Sequence, residues 1–203
     1  MALTDLLWAC PECHEDRGLE LRGPEAVCRR CGARYRRGRG ASIVGRPPDG
    51  AEVVLSPAEW LDRLPGAAAV LEQREGGLRT ARVNRRSVVA MEPVRIGGRF
   101  LNRVERFGDE EEGELRLLAD RLTFHAVPSG ASPEQWPFDT LTAVQTSSKT
   151  LQLKARGRPL VAFRFTDDSI YLWEQLVNEA VRRFYRDTGL GEIVEFQPRI
   201  TTA

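Results

Sequence analysis

Four cysteines near the N-terminus could together hold one metal ion. They form two C-x-x-C knuckles, Cys10 with Cys13 and Cys28 with Cys31, which are separated by fourteen residues. Two such knuckles can direct four thiolates at one tetrahedral ion, and the segment between them is long enough for a hairpin that reverses the chain. Because four sulfurs close the coordination sphere, we expect a structural zinc ion, about one per chain, with no open position for water or substrate.

Two other uses of these cysteines compete with zinc. A redox or iron–sulfur role would use the same thiols, but the paired spacing is more typical of a zinc ribbon. The run from Cys10 to His14 also matches the attachment signature of c-type haem, with His14 as an axial ligand. Haem attachment normally requires export and leaves the second knuckle unexplained, so we expect His14 to be a surface residue of a zinc knuckle.

The cysteine region resembles the small zinc ribbons that occur alone in bacteria and as activator subunits of methyltransferases. The resemblance rests on Leu6–Cys13, Val27–Tyr35 and Gly40–Val44, and it covers about a fifth of the chain. Arg36 stands where this family usually has proline, and Ala41-Ser42 interrupts the family's Gly-Ile-Pro ending. The resemblance implies a zinc ribbon, and it leaves a role as the activator subunit of an enzyme open as an alternative function.

An arginine-rich run follows the second knuckle. Seven arginines and no acidic residue lie in it: Arg29, Arg30, Arg34, Arg36, Arg37, Arg39 and Arg46. They could bind nucleic acid or lipid headgroups, but they would also offset the negative charge of four thiolates around zinc. Tyr35 is the only aromatic residue of the run on which a base could stack. We therefore expect charge compensation, and we do not expect nucleic acid as a partner.

Composition narrows the class of protein. The chain has 203 residues, of which 41% are hydrophobic and 29% charged, and its formal charge of +1 gives no general attraction to anionic surfaces. No apolar stretch is long enough to span a bilayer, and Met1 to Trp8 lacks the features of a signal peptide. We expect a cytoplasmic protein, with peripheral contact at the inner face of the membrane left open.

The sequence contains none of the common catalytic signatures. It has only two histidines, and it lacks G-x-S-x-G, a phosphate-binding glycine loop with lysine, and His-Glu-x-x-His. His125 lies out of phase with the apolar residues of its strand, and the pair Asp167-Asp168 is better explained by helix capping. We expect a protein that is not an enzyme.

The elements that must position the cysteines lie in the first of four predicted segments. Residues 1–46 form the zinc ribbon, and a break rich in proline and glycine ends it. Residues 47–77 form a helical connector, in which Ser56 and Glu59 make a capping box at the start of a short helix. Residues 78–189 form the main domain and residues 190–203 a C-terminal tail. The predicted fold class is mainly β with α (α+β).

Alternation with a period of two predicts strands through most of the main domain. Gly97-Gly98 joins two of them into a hairpin, and the acidic run Gly108–Gly113 is predicted to be a solvated loop. A long helix follows the strands, because apolar residues recur at helical spacing from Ile170 to Phe184. We expect Trp173, at the centre of that apolar stripe, to pack on the sheet and close it.

Residues 78–188 resemble the pleckstrin-homology (PH) and GRAM superfamily. The pattern of Gly113–Phe124, the segment Trp136–Leu141 and the final helix follow the order of its elements. The resemblance implies a bent antiparallel sheet capped by a C-terminal helix, and docking on a protein partner or a membrane surface. Lipid-binding members place basic side chains on the first hairpin, which here carries Arg95, Arg99, Arg103 and Arg106. We expect protein docking to dominate, with lipid- or phosphate-binding at these arginines as the alternative; the sequence does not indicate an oligomeric state.

Overall fold

The computed structural model describes residues 3–72, 79–128, 132–147 and 149–191. The chain divides into two compact units, Met1–Gln73 with Asp168–Leu176, and Arg74–Asp167 with Val177–Ala203. Strands predominate, and they form two open antiparallel sheets, which confirms the predicted class of mainly β with α. The predicted boundary at residue 77 and residues 192–203 of the predicted tail lie outside the described residues.

The first unit contains a five-stranded antiparallel meander, in which each strand pairs with the next in chain order. Its strands are β1 (Leu19–Arg22), β2 (Glu25–Cys28), β3 (Arg34–Arg37), β4 (Ile43–Arg46) and β5 (Val53–Leu55). Three short helices accompany them: α1 (Leu3–Leu6), α2 (Pro57–Leu61) and α3 (Ala67–Glu72). Strand β5 comes from the segment predicted as a connector, and it extends the sheet beyond residue 46.

Trp60 attaches helix α2 to this sheet. Its side chain is fully buried, and its indole N–H donates to the Ile43 carbonyl at 3.0 Å. The Tyr35 ring meets the Trp60 ring edge-on, with centroids 5.4 Å apart. Gly45 on β4 permits this close approach, because a Cβ atom at that position would lie only 2.4 Å from the Trp60 ring.

Local sequence signals correctly locate the starts of two helices. The predicted capping box of α2 is present, since the Ser56 hydroxyl accepts from the Glu59 N–H and the Glu59 carboxylate accepts from the Ser56 N–H. The long helix α4 (Ile170–Asp187) starts directly after Ser169, whose hydroxyl accepts from the Leu172 N–H at 3.5 Å. Both caps satisfy backbone donors that the first turn of a helix leaves without a partner.

Helix α4 contributes to both units. Its first part belongs to the first unit, where Tyr171 packs against the core that contains Leu3, Leu6 and Trp60. Trp173 is fully buried, as a core residue should be, and its indole N–H donates to the Asp168 carboxylate at 2.8 Å. That its ring packs on the large sheet stays a prediction. Helical periodicity identifies the apolar face of a helix, but it does not show which neighbouring element covers each residue.

The second unit contains the larger sheet. Its strands are β6 (Arg79–Ile96), β7 (Arg99–Phe107), β8 (Glu111–Leu117), β9 (Arg121–Ala126), β10 (Glu134–Pro137), β11 (Leu141–Ser147), β12 (Thr150–Ala155) and β13 (Val161–Phe165). They pair antiparallel in the order β10-β9-β8-β6-β13-β12-β11. Strand β7 lies outside this order and pairs with β6. The single Pro of β10 lies on an edge strand, where a missing N–H is tolerated.

Aromatic side chains form the core of the second unit. Phe163 on β13 contacts the rings of Trp136 and Phe124, with centroid distances of 5.5 and 6.0 Å. The second part of α4 packs on the same unit through Phe184, whose ring lies 5.8 Å from that of Phe138. This unit therefore has an apolar core that is made of its own strands and its own part of the helix.

The acidic run Gly108–Gly113 is not the solvated loop that its composition predicts. Strand β8 begins within the run at Glu111, whose carboxylate accepts from Arg85 at 2.7 Å. The Glu110 carboxylate accepts from Asn84 and Arg164, and these hydrogen bonds hold the pKa of Glu110 below its ordinary value. Cationic and amide side chains on neighbouring strands therefore pair with the run, and such long-range partners cannot be read from its composition.

The last part of β6 and all of β7 form a two-stranded hairpin, here called the arm (residues 88–107). Its pairing runs from Val88 with Phe107 to Ile96 with Arg99, and the predicted glycine turn closes it with positive φ at Gly97 and Gly98. The register shifts once near Val89 and once near Leu101. Among the described strands, none pairs with the arm as a third strand from Ala90 onwards.

Candidate metal centre

The two knuckles bring all four predicted ligands together. The four Sγ atoms lie within 4.8 Å of one another, and the Cys10–Cys31 and Cys13–Cys28 sulfur pairs are each 3.6 Å apart. A tetrahedron with Zn–S bonds of roughly 2.3 Å has sulfur–sulfur edges of about 3.8 Å. The cluster therefore fits a tetrahedral ion of this size, and it is compatible with a structural zinc ion.

Both knuckles have the same backbone geometry. The N–H of His14 donates to the Cys10 carbonyl at 2.8 Å, and the N–H of Gly32 donates to the Cys28 carbonyl at 3.0 Å. The N–H of each first cysteine donates to the carbonyl of the residue five positions later, at 3.1 and 2.8 Å. The residue after each second cysteine is left-handed, with φ of 57° at His14 and 78° at Gly32. Glycine adopts this conformation without strain, whereas histidine does not.

Secondary structure positions the second knuckle, and burial shields part of the cluster. Strand β2 ends at Cys28, and β3 begins shortly after the knuckle at Arg34, so the sheet fixes both ends of the turn. Cys10 and Cys28 are buried, whereas Cys13 and Cys31 are partly exposed. A metal ion held by these sulfurs would lie at the edge of the ribbon with one side covered.

The thiols differ in how easily they ionise without a metal ion. Burial raises the pKa of Cys31 to about 12, and burial also raises the pKa of Cys13. Burial acts in the same direction on Cys28, but the N–H groups of Cys31 and Arg30 hydrogen bond to its sulfur and bring its pKa below the ordinary value. Metal binding must therefore displace protons from Cys13 and Cys31, so metal affinity falls as the pH falls.

Tyr35 lies directly behind the cluster. Its hydroxyl is 3.6 Å from the Cys10 sulfur, and its side chain is buried. Burial and the hydrogen bond with Cys10 raise the pKa of Tyr35 above its ordinary value, so the hydroxyl keeps its proton and can donate it to the sulfur. From the sequence alone, Tyr35 is expected only to offer a stacking surface. No local pattern marks this role, because it depends on a contact between residues twenty-five positions apart.

Much of the arginine-rich run is matched by acidic side chains. Arginines of the run form ion pairs with residues outside it: Arg29 with Glu20 at 3.6 Å, Arg30 with Glu15 at 2.9 Å, Arg34 with Glu25 at 3.3 Å and Arg36 with Glu52 at 3.1 Å. These pairs are exposed, so each contributes little to stability. Because these acidic side chains lie beside the arginines, the run does not form a uniformly positive surface.

The four arginines considered for lipid or phosphate binding do not form one surface. The strand register places Arg95 and Arg103 on one face of the arm, and Arg99 and Arg106 on the other. Arg106 also forms an ion pair with Glu92 at 3.2 Å. Each face therefore offers two arginines.

The residues that would mark an enzyme activator are buried. An activator subunit would expose an apolar patch at the start of the ribbon, around Leu6, Leu7 and Trp8. These side chains are only 7%, 1% and 5% exposed, and Leu6 and Leu7 belong to the core of the first unit. The structure thus shows no such patch at these three residues.

Among the described residues, no helix is both long enough and apolar enough to cross a membrane. A search of known protein families and of curated proteins finds no match to the chain.

Proposed function

We propose that the chain is a non-enzymatic zinc-binding adaptor. In this proposal a structural zinc ion folds the first unit, and the second unit docks on a protein partner. The observation that carries the proposal is the cluster of four cysteine sulfurs, because four protein ligands leave a zinc ion no open coordination position for a substrate. The zinc ion then organises the fold and takes no part in a reaction.

The arm supports docking as the role of the second unit. Ten large hydrophobic residues are exposed in the described part of the chain, and six of them lie on the arm: Val89, Met91, Ile96, Phe100, Leu101 and Val104. A shallow groove of about 430 Å³ lies at the base of the arm, and it is lined by Val88–Met91, Glu105, Lys154 and Pro159-Leu160. Exposed apolar side chains at this density are typical of an interaction surface.

The proposal also includes a PH- or GRAM-like fold for the second unit and a cytoplasmic location for the protein. An open antiparallel sheet that packs against a C-terminal helix is what a PH- or GRAM-like domain would require, and the order of the elements agrees with it. Four unpaired thiols are typical of a reducing compartment, so we place the protein in the cytoplasm. Peripheral contact with the inner face of the membrane would be secondary to protein docking.

Partner docking is tested by comparing two exposed apolar positions of the second unit. The tagged full-length chain is recovered from its native cells, and the binding of each purified copurifying protein is then measured by calorimetry. We expect Met91→Asp, on the arm, to weaken the binding at least tenfold, and Val127→Asp, at a more exposed position outside the arm, to leave it unchanged. A partner that binds both variants as tightly as the native chain would contradict docking at the arm.

A further inference from the structure

The arm has an edge that can accept another strand. Among the described strands, β7 pairs with β6 alone, so the backbone groups on its outer side face none of those strands. An isolated two-stranded hairpin is marginally stable in water, and an open edge is a template for pairing with another chain. Pro93 removes one donor from β6, whereas β7 contains no proline. The outer edge of β7 is therefore the better template.

Two oppositely charged side chains are available along this edge. The ion pairing of the arm among the described residues is confined to Arg106 with Glu92, and neither Arg103 nor Glu105 takes part in it. Arg103 and Glu105 are two residues apart, so they lie on the same face of β7. Each could pair with its opposite in a neighbouring strand that runs antiparallel.

We propose that β7 pairs with β7 of a second copy of this chain, antiparallel and with the twofold axis at Val104. Along β7, only every second residue turns its N–H and C=O groups to the open edge, and in an antiparallel pair such residues must lie opposite each other. In a twofold dimer this is possible only when one residue lies opposite its own copy, so the axis passes through a residue. An axis at Arg103 or at Glu105 would place that residue opposite its own copy, and an axis at Leu101 would place Arg99 opposite Arg103. Each of these three registers therefore places like charges against each other. An axis at Val104 places Arg103 opposite Glu105 of the partner subunit, and the symmetry of the dimer makes the same ion pair a second time.

An axis at Asn102 is the competing register. It would set Arg99 against Glu105 of the partner subunit, but that pairing spans the register shift near Leu101. The axis at Val104 keeps its two ion pairs within residues 102–106, where β7 is regular. It also places Val104, which is 53% exposed in one chain, against its own copy. A twofold dimer is also the commonest symmetric assembly.

This inference goes beyond the proposed adaptor function. Its test changes Arg103 and Glu105 of β7 and measures the dimer, whereas the docking test changes Met91 of β6 and measures partner binding. Pairing would convert two marginal hairpins into one four-stranded sheet. Each claim can therefore fail while the other stands.

The test measures the molar mass of the zinc-loaded full-length chain by sedimentation equilibrium over a wide range of concentrations. We expect a dimer for the native chain. Arg103→Glu and Glu105→Arg should each weaken it at least tenfold, because each turns two attractive cross-strand pairs into repulsive ones. The double variant, with Arg103→Glu and Glu105→Arg together, restores both pairs with their charges exchanged, so it should restore the dimer.

The control is Arg95→Glu, which makes the same charge change on β6, away from the β7 edge, and should leave the dimer unchanged. Circular dichroism and the unfolding midpoint establish that each variant folds. A monomeric native chain would overturn the proposal, as would a double variant that stays monomeric or an equal loss of dimer in Arg95→Glu. A native chain that is monomeric but cosediments with anionic vesicles would assign the arm to a membrane surface instead.

Discussion

Gly32 and His14 occupy the same position in the two knuckles, and both have left-handed backbone conformations. A Cβ atom at Gly32 would meet no other atom within 4 Å, so a substitution there changes the backbone preference without creating a clash. We expect Gly32→Ala to lower the free energy of unfolding of the zinc-loaded first unit by about 1–2 kcal/mol, measured by chemical denaturation. His14→Gly should raise it, and an unchanged value for Gly32→Ala would contradict this account.

Tyr35 provides a second prediction at the scale of one residue. Tyr35→Phe keeps the buried ring and its contact with Trp60, and removes only the hydroxyl that can donate to the Cys10 sulfur. We expect the affinity for zinc to fall about tenfold, because outer hydrogen bonds of this kind tune the ligands of a metal site. Competition with a coloured chelator measures the affinity. Equal affinities in the native chain and the variant would show that the hydroxyl does not act on the metal centre.

The four cysteines could be identified from the sequence because their spacing alone determines which sulfurs can converge. The role of Tyr35 could not be derived in that way. It depends on the path of β3, which places the hydroxyl beside Cys10, a residue twenty-five positions earlier in the chain. Contacts between residues far apart in sequence require the register of the sheet, and the residue types do not contain that information.

At the scale of elements, helix α4 shows the same difference between local and long-range information. Its extent and its apolar face follow from spacing, but its division between the two units depends on tertiary contacts. Asp168, just before the helix, accepts from Arg17 at 2.6 Å and from the Trp173 indole at 2.8 Å, all within the first unit. The capping box of α2 and the glycine hairpin were predicted correctly because each is encoded by adjacent residues.

We expect the first part of α4 to stabilise the zinc-bearing unit. Trp173→Ala removes a fully buried ring and should lower the free energy of unfolding by about 3–5 kcal/mol, with zinc released at a lower denaturant concentration. Phe163→Ala is the matched control, because it removes a fully buried ring from the second unit. It should leave the midpoint of zinc release unchanged. If both variants shift zinc release equally, Trp173 does not act on the first unit in particular.

At the scale of the whole molecule, the two units should depend on the metal to different degrees. We expect Cys28→Ser to unfold the first unit, because metal binding supplies much of the folding free energy of a small ribbon. The second unit has its own aromatic core, so hydrogen exchange should show its strands still protected. Cys13→His is the control, because histidine is also a zinc ligand, and this variant should retain the fold of the first unit. Loss of protection in both units of Cys28→Ser would contradict separate stabilisation.

The most direct test of the account is the metal content of the purified full-length chain. Elemental analysis should find about one zinc ion per chain in the native protein, and little or none in Cys28→Ser, because the loss of one of four thiolates opens the coordination sphere. Iron in place of zinc, the absorption bands of haem, or a native chain that folds without any bound metal would contradict the central claim that a structural zinc ion organises the first unit.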